Sequence, residues 1–123
     1  MDASRLVSRT CEPCRGGTPG LSEPQARGFL EQTPEWALQD NASRLMRRFE
    51  FENFKSGLEF VNRVGDLAEE QGHHPDIAIH WNKVELVLWT HAIGGLHEND
   101  FILAAKIDRL LEEPRRATSG LAG

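Results

Sequence analysis

Along this chain the spacing of apolar positions switches between two and about 3.6, and each switch marks an element. Residues 1–20 carry no period and are rich in Gly, Pro and Arg, which reads as a flexible leader. Ser22 and Gln25 stand at capping-box spacing and Pro24 suits a first helical turn. A short helix is predicted from there to about Gln32, stopped by Pro34. Trp36–Gln39 reads as a strand, Asp40-Asn41-Ala42 as a turn and Ser43–Glu50 as a second strand. In that second strand Leu45, Arg47 and Phe49 alternate with Arg44, Met46 and Arg48.

From Glu52 the period lengthens. Phe51, Phe54, Leu58, Val61 and Ala68 fall on one helical stripe, widened by Phe60, Val64 and Leu67, and Gly72 suits a left-handed cap at its end. Such an aromatic stripe is read as core. Pro75 cannot extend the helix and keeps His74 extended. A strand is predicted through Ile77, Ile79 and Trp81, with a turn near Asn82. The next strand alternates Val84, Leu86 and Leu88 with Lys83, Glu85 and Val87, reaches Thr90-His91 and is broken by Gly94-Gly95. A last helix turns Leu103, Ile107, Leu110 and Leu111 inward before Pro114, and the tail 114–123 is expected to be disordered. The order α-β-β-α-β-β-α predicts an α+β fold in a single domain over 21–113. Two hairpins do not stand alone, so they should join as one four-stranded antiparallel sheet with helices packed on one face.

At 123 residues the chain is one domain by length, and its apolar and charged fractions are ordinary for a globular protein. A net charge of −5 argues against direct binding of nucleic acid, and Arg44, Arg47 and Arg48 read as strand-face charges among acidic neighbours. No run of apolar residues is long enough to span a membrane, and residues 1–5 lack the apolar core of a secretory signal, so a cytoplasmic location is expected. Cys11 and Cys14 form a lone Cys-x-x-Cys. Two ligands do not make a structural zinc site, and no strand-to-helix context marks a redox pair, so they read as reduced thiols on the leader.

The chemistry concentrates in Glu69, His73-His74-Pro75, Trp81, His91 and Asp100. Histidine is the side chain whose ordinary pKa lies near neutrality, so these imidazoles can give and take protons. Adjacent extended residues point to opposite sides, so His73 and His74 cannot both face one atom; one stands centrally while the other lines a wall or binds the ligand. That adjacency is also awkward for chelating one ion, and no metal or cofactor is expected. Glu69, one helical turn before His73, either orients that ring or is a solvated helix-end carboxylate. Asp100, in the first turn of the last helix, suits a capping role with an indirect effect on the His91 loop. His80 and His97 read as ordinary side chains, with Asn99 as a substitute cap for the last helix.

The array resembles the pattern of the pterin-4a-carbinolamine dehydratases: a carboxylate four residues before His-His-Pro, an aromatic, a histidine and an aspartate, all without a gap. Arg48-Phe49, Asn82, Val84, Thr90-His91, Gly94-Gly95-Leu96 and Ile107-Asp108 agree with it, over roughly Cys11 to Leu111. The resemblance implies elimination of water from a 4a-hydroxytetrahydropterin to give quinonoid dihydropterin. His73 and His91 would be acid and base and His74 would bind the pterin, with Glu69, Pro75, Trp81, Thr90 and Asp100 in binding or supporting places. It also implies a homodimer or homotetramer and pterin recycling for an aromatic amino-acid hydroxylase. Alternatives are a partner-protein cofactor without catalysis, or pterin handling in molybdenum-cofactor metabolism.

Overall fold

A computed structural model describes residues 6, 8–11 and 19–112. Cys14 and the predicted tail fall outside the described residues. Helix α1, Glu23–Leu30, starts on the expected capping box: the Ser22 hydroxyl accepts from the Gln25 N–H, and the Gln25 side chain accepts from the Ser22 N–H at 2.8 Å. It ends before Gln32, because the Gln32 and Thr33 N–H groups bond to Phe29 and Leu30 in tighter three-residue turns. Strand β1, Ala37–Gln39, and strand β2, Arg44–Glu50, flank a turn in which Asp40, Asn41 and Ala42 all take positive φ. Trp36 lies just outside β1, buried in the core.

Helix α2, Phe54–Gln71, is capped by the Asn53 side chain, which accepts from the Ser56 N–H, and ends on Gly72 at φ 66°. Strands β3, Asp76–His80, and β4, Lys83–Leu88, form the second hairpin, and a 3-10 turn at His91–Ile93 precedes helix α3, Glu98–Glu112. The sheet has four strands in the order β1-β2-β4-β3, every neighbour antiparallel. The central register sets Leu45 against Leu88, Arg47 against Leu86 and Phe49 against Val84. The apolar members of these pairs are buried against Phe60, Val64, Phe101, Leu103 and Ile107 of α2 and α3. The α+β fold and its element order are as the periodicity predicts.

Three local readings need correction. On α2 the buried positions are Gly57, Phe60, Val64 and Ala68, whereas Phe54 is 47% and Leu58 37% exposed. Gly57 lies closest to the sheet beside Val84, so the inward stripe runs through Gly57, Phe60, Val64 and Ala68 and leaves Phe54 and Leu58 outside it. Helix α3 is buried on nearly every side of its first half, from Asn99 to Ala105, while Leu111 faces outward. Arg47 is no outward charge: it lies on the core face and binds Asp108 at 2.6 Å, sharing that carboxylate oxygen with the Trp36 indole N–H at 2.8 Å. Burial pushes the Asp108 carboxyl above its ordinary pKa, opposed by the Trp36 hydrogen bond and the Arg47 charge.

The described part of the leader packs on the domain. Leu6 is buried, Arg9 pairs with Glu98, and the Cys11 N–H donates to the Gln71 side chain at 3.0 Å. Cys11 is buried, with its thiol 3.6 Å from the Asn99 carbonyl, rather than on a mobile arm.

Candidate active site

The end of α2 builds one wall. Gly72 in the left-handed region returns its N–H to Ala68 and Glu69, and the His73 N–H also closes on the Ala68 carbonyl. The reversal carries His73 and His74 to the rim of the sheet, and Pro75 leads straight into β3. The opposite wall comes from the end of β4, where Thr90 and Gly95 form an isolated antiparallel bridge that ties off the loop holding His91. Between them lies an open cleft of about 330 Å³, lined by Gly72, His73, His74, Trp89, Thr90, His91 and Ala92.

Behind the cleft sits Asp100, fully buried. One carboxylate oxygen lies 2.6 Å from His73 Nε2; the other accepts from the Thr90 hydroxyl and from the His97 N–H, each at 2.9 Å. A carboxylate in its ionised form only accepts, so in that pairing His73 Nε2 carries the hydrogen and Nδ1 is left open. Asp100 does cap α3, but it also holds His73 directly, a reach the helix-start reading did not include. His97 completes the cap: its Nδ1 accepts from the Asn99 N–H at 3.1 Å while Asp100 accepts from the His97 N–H. The two bonds cap the helix reciprocally, the imidazole accepting from the second helical N–H rather than from the third as in a capping box, and Asn99 is a buried helical residue rather than the cap.

Glu69 bonds His74 Nε2 at 2.6 Å, not His73, because the left-handed reversal turns His73 inward past it. Both partners of that pair are largely exposed, so it orients the ring more than it stabilises the fold. Trp81 is separated from the cleft. It sits at the tip of the β3–β4 hairpin with φ 57° and is 68% exposed, five strand residues or roughly 16 Å from the rim at ~3.3 Å per residue.

The aromatic that does line the cleft is Trp89. Its ring centroid lies 3.9 Å from that of His91, the Arg44 guanidinium lies 3.6 Å from its own centroid, and its indole N–H reaches Asp76 at 3.1 Å. The signal was available: Trp89 continues the outward phase of Lys83, Glu85 and Val87 and stands two residues before His91. Among the described residues no group of three or more His, Cys, Asp or Glu converges as a metal site, and no helix is long and apolar enough to cross a membrane.

Comparison with known proteins agrees with this geometry at the level of family. The profile described as "Pterin 4 alpha carbinolamine dehydratase" matches residues 19–110. A Methylococcus capsulatus protein named "Putative pterin-4-alpha-carbinolamine dehydratase" is 50% identical over 113 residues, covering 92% of this chain and 99% of its own. A Rubrobacter xylanophilus protein of the same name is 49% identical over 107 residues, covering 87% and 99%. A crystal structure titled transcriptional coactivator/pterin dehydratase, from Brucella melitensis, superposes with a TM-score of 0.70 at 27% identity, over 74% of this chain and 97% of that one. Another solved structure, titled as a pterin dehydratase-like RuBisCO assembly factor of the alpha-carboxysome, has a TM-score of 0.56 at 27% identity, over 65% and 93%. The histidine array, the sheet order and these relatives lead to one conclusion: the chain belongs to the pterin-4a-carbinolamine dehydratase family.

Proposed function

We propose that this chain dehydrates a 4a-hydroxytetrahydropterin to quinonoid dihydropterin by histidine general acid–base catalysis. The observation that carries the reading is the gathering of His73, His74 and His91 on one cleft, with buried Asp100 fixing the His73 ring. In the elimination the C–O bond at the bridgehead breaks with its electrons going to oxygen, which takes a proton from an acid and leaves as water. A base removes the proton of the neighbouring ring nitrogen, whose electron pair forms the new double bond. His73 and His91 supply that pair of proton transfers, and His74 binds the pterin beside them. No step calls for a metal or redox cofactor, since no atom changes partner except through protons and the leaving water. The setting is recycling of the pterin spent by an aromatic amino-acid hydroxylase. The test is a direct dehydration assay with purified protein: acceleration over spontaneous dehydration supports the reading, and its absence at saturating substrate rejects it.

A partner-protein role is a second reading, favoured by Phe54 and Leu58 standing exposed one helical turn apart on α2 and by the coactivator and assembly-factor titles of the two solved relatives. A protein inactive in the assay yet forming a stable complex that is lost on Phe54→Asp would favour it.

A further inference from the structure

The three cleft imidazoles are held differently. His73 has Asp100 and His74 has Glu69, but the ring contact of His91 among the described residues is a tilted packing on Trp89. His91 is an exposed residue opening a 3-10 turn, a place where a side chain ordinarily samples several rotamers. Trp89 is itself immobilised. With centroids 3.9 Å apart and planes tilted by only 32°, the imidazole lies against the indole closer to face-on than edge-on. Arg44 also lies within that distance of the Trp89 ring. The indole is therefore packed closely against both the guanidinium and the tilted imidazole. Its N–H is tied to Asp76 on β3. The sheet register accounts for this: the step beyond the Leu45–Leu88 pair sets Arg44 opposite Trp89, and Asp76 lies diagonally across from it.

We propose that Trp89, clamped between Arg44 and Asp76, is a positioning residue that fixes the plane of the His91 ring in the cleft. The role rests on the acid–base function proposed for His91. Trp89 acts through His91, deciding which ring edge meets the substrate.

The experiment pairs kinetics with histidine ring-proton NMR on the full chain. In the unaltered protein the His91 ring protons should resonate upfield of those of exposed His80, because the indole face shields them. In Trp89→Leu they should return toward the His80 position, and kcat should fall roughly ten- to a hundredfold, the size of a misplaced catalytic group, with KM changing much less. Trp89→Phe, which keeps a stacking face, should recover most of kcat. Arg44→Ala, which leaves the indole in place but removes its backing, should move the same resonances part of the way. Both sites lie on the helix-free sheet face, and circular dichroism checks that the variants fold. An unchanged kcat in folded Trp89→Leu, unmoved His91 resonances, or a silent Arg44→Ala overturns the proposal. Full activity in His91→Ala would instead reject the acid–base reading, while the resonance shifts still decide whether the stack exists.

Discussion

Asp100 shares two oxygens among three donors, so its replacements should separate support from chemistry. Asp100→Ala strands the buried Thr90 hydroxyl and His97 N–H and should cost about 1–3 kcal/mol of stability as well as activity. Asp100→Asn can keep its carbonyl on those two donors and present its NH₂ to His73. That forces the opposite tautomer, so stability should change by under ~1 kcal/mol while dehydration falls on the order of 10²–10⁴-fold. Urea unfolding beside a single-turnover assay distinguishes the two, and an Asn variant of near-normal activity would contradict the tautomer argument. His73→Ala and His91→Ala should each lose ~10²–10⁴-fold with the fold retained, because these rings line a cleft rather than fill the core. At Asp108 the sign follows from burial: the folded pKa is raised, so the folded state holds its proton longer. The stability of the native protein relative to Asp108→Asn should therefore be greatest below the ordinary carboxylate pKa of about 3.9 and decline as pH rises through the raised value. Unfolding midpoints across that range test it, and a relative stability that climbs with pH would refute it. The histidines were legible in the sequence because their spacing is local. Their partners were not, because Asp100 reaches His73 across the fold and Glu69 changes partner through a single left-handed glycine.

At the scale of elements the stripe of α2 was read rightly at Phe60, Val64 and Ala68 and too widely at Phe54 and Leu58, and Gly57 explains the difference. A helical reading weighted by side-chain bulk selects Phe54 and Leu58, but the helix meets the sheet through the residue with no side chain. A Cβ added at Gly57 would sit 3.5 Å from the Phe51 ring and 3.6 Å from Val84, ordinary contact distances. Gly57→Ala should thus fit and stabilise by about 0.5–1 kcal/mol through helix propensity, whereas Gly57→Leu should overpack that contact and cost about 1–3 kcal/mol. Thermal melts of the two variants check the pair; a destabilised Ala variant would mean α2 lies closer to the sheet than described. The strands were easier to read, since period-two alternation in β2 and β4 directly reports one covered face. Trp81 broke that pattern because hairpin closure at Asn82 takes it out of the strand and into positive φ, a conformation that alternation does not signal. The Asn82 side chain pins the turn by donating to the Phe51 carbonyl at 2.8 Å.

For the molecule as a whole, the surface left uncovered argues for self-association. Phe54 and Leu58 on α2, Ile77 on edge strand β3 and Trp81 at its hairpin tip are all large apolar groups facing outward, and β1 and β3 leave edges with unpaired backbone groups. A closed symmetric homo-oligomer, at least a dimer, is the expected outcome. Sedimentation at micromolar concentration tests it, and an active, clean monomer would defeat it while leaving the dehydratase reading standing. The sheet order has a further consequence for how the molecule comes apart. Each outer strand pair is a hairpin of nearby residues, whereas the central β2–β4 ladder closes a loop containing all of α2. His73 and His74 enter the second hairpin and His91 leaves it, so the imidazoles belong to one locally closed unit. The three-residue edge β1 can fray without disturbing them, and amide protection along β1 should vanish well before protection along β4 does. Catalytic competence would then outlast the fraying of β1, and be lost in one step when the second hairpin opens.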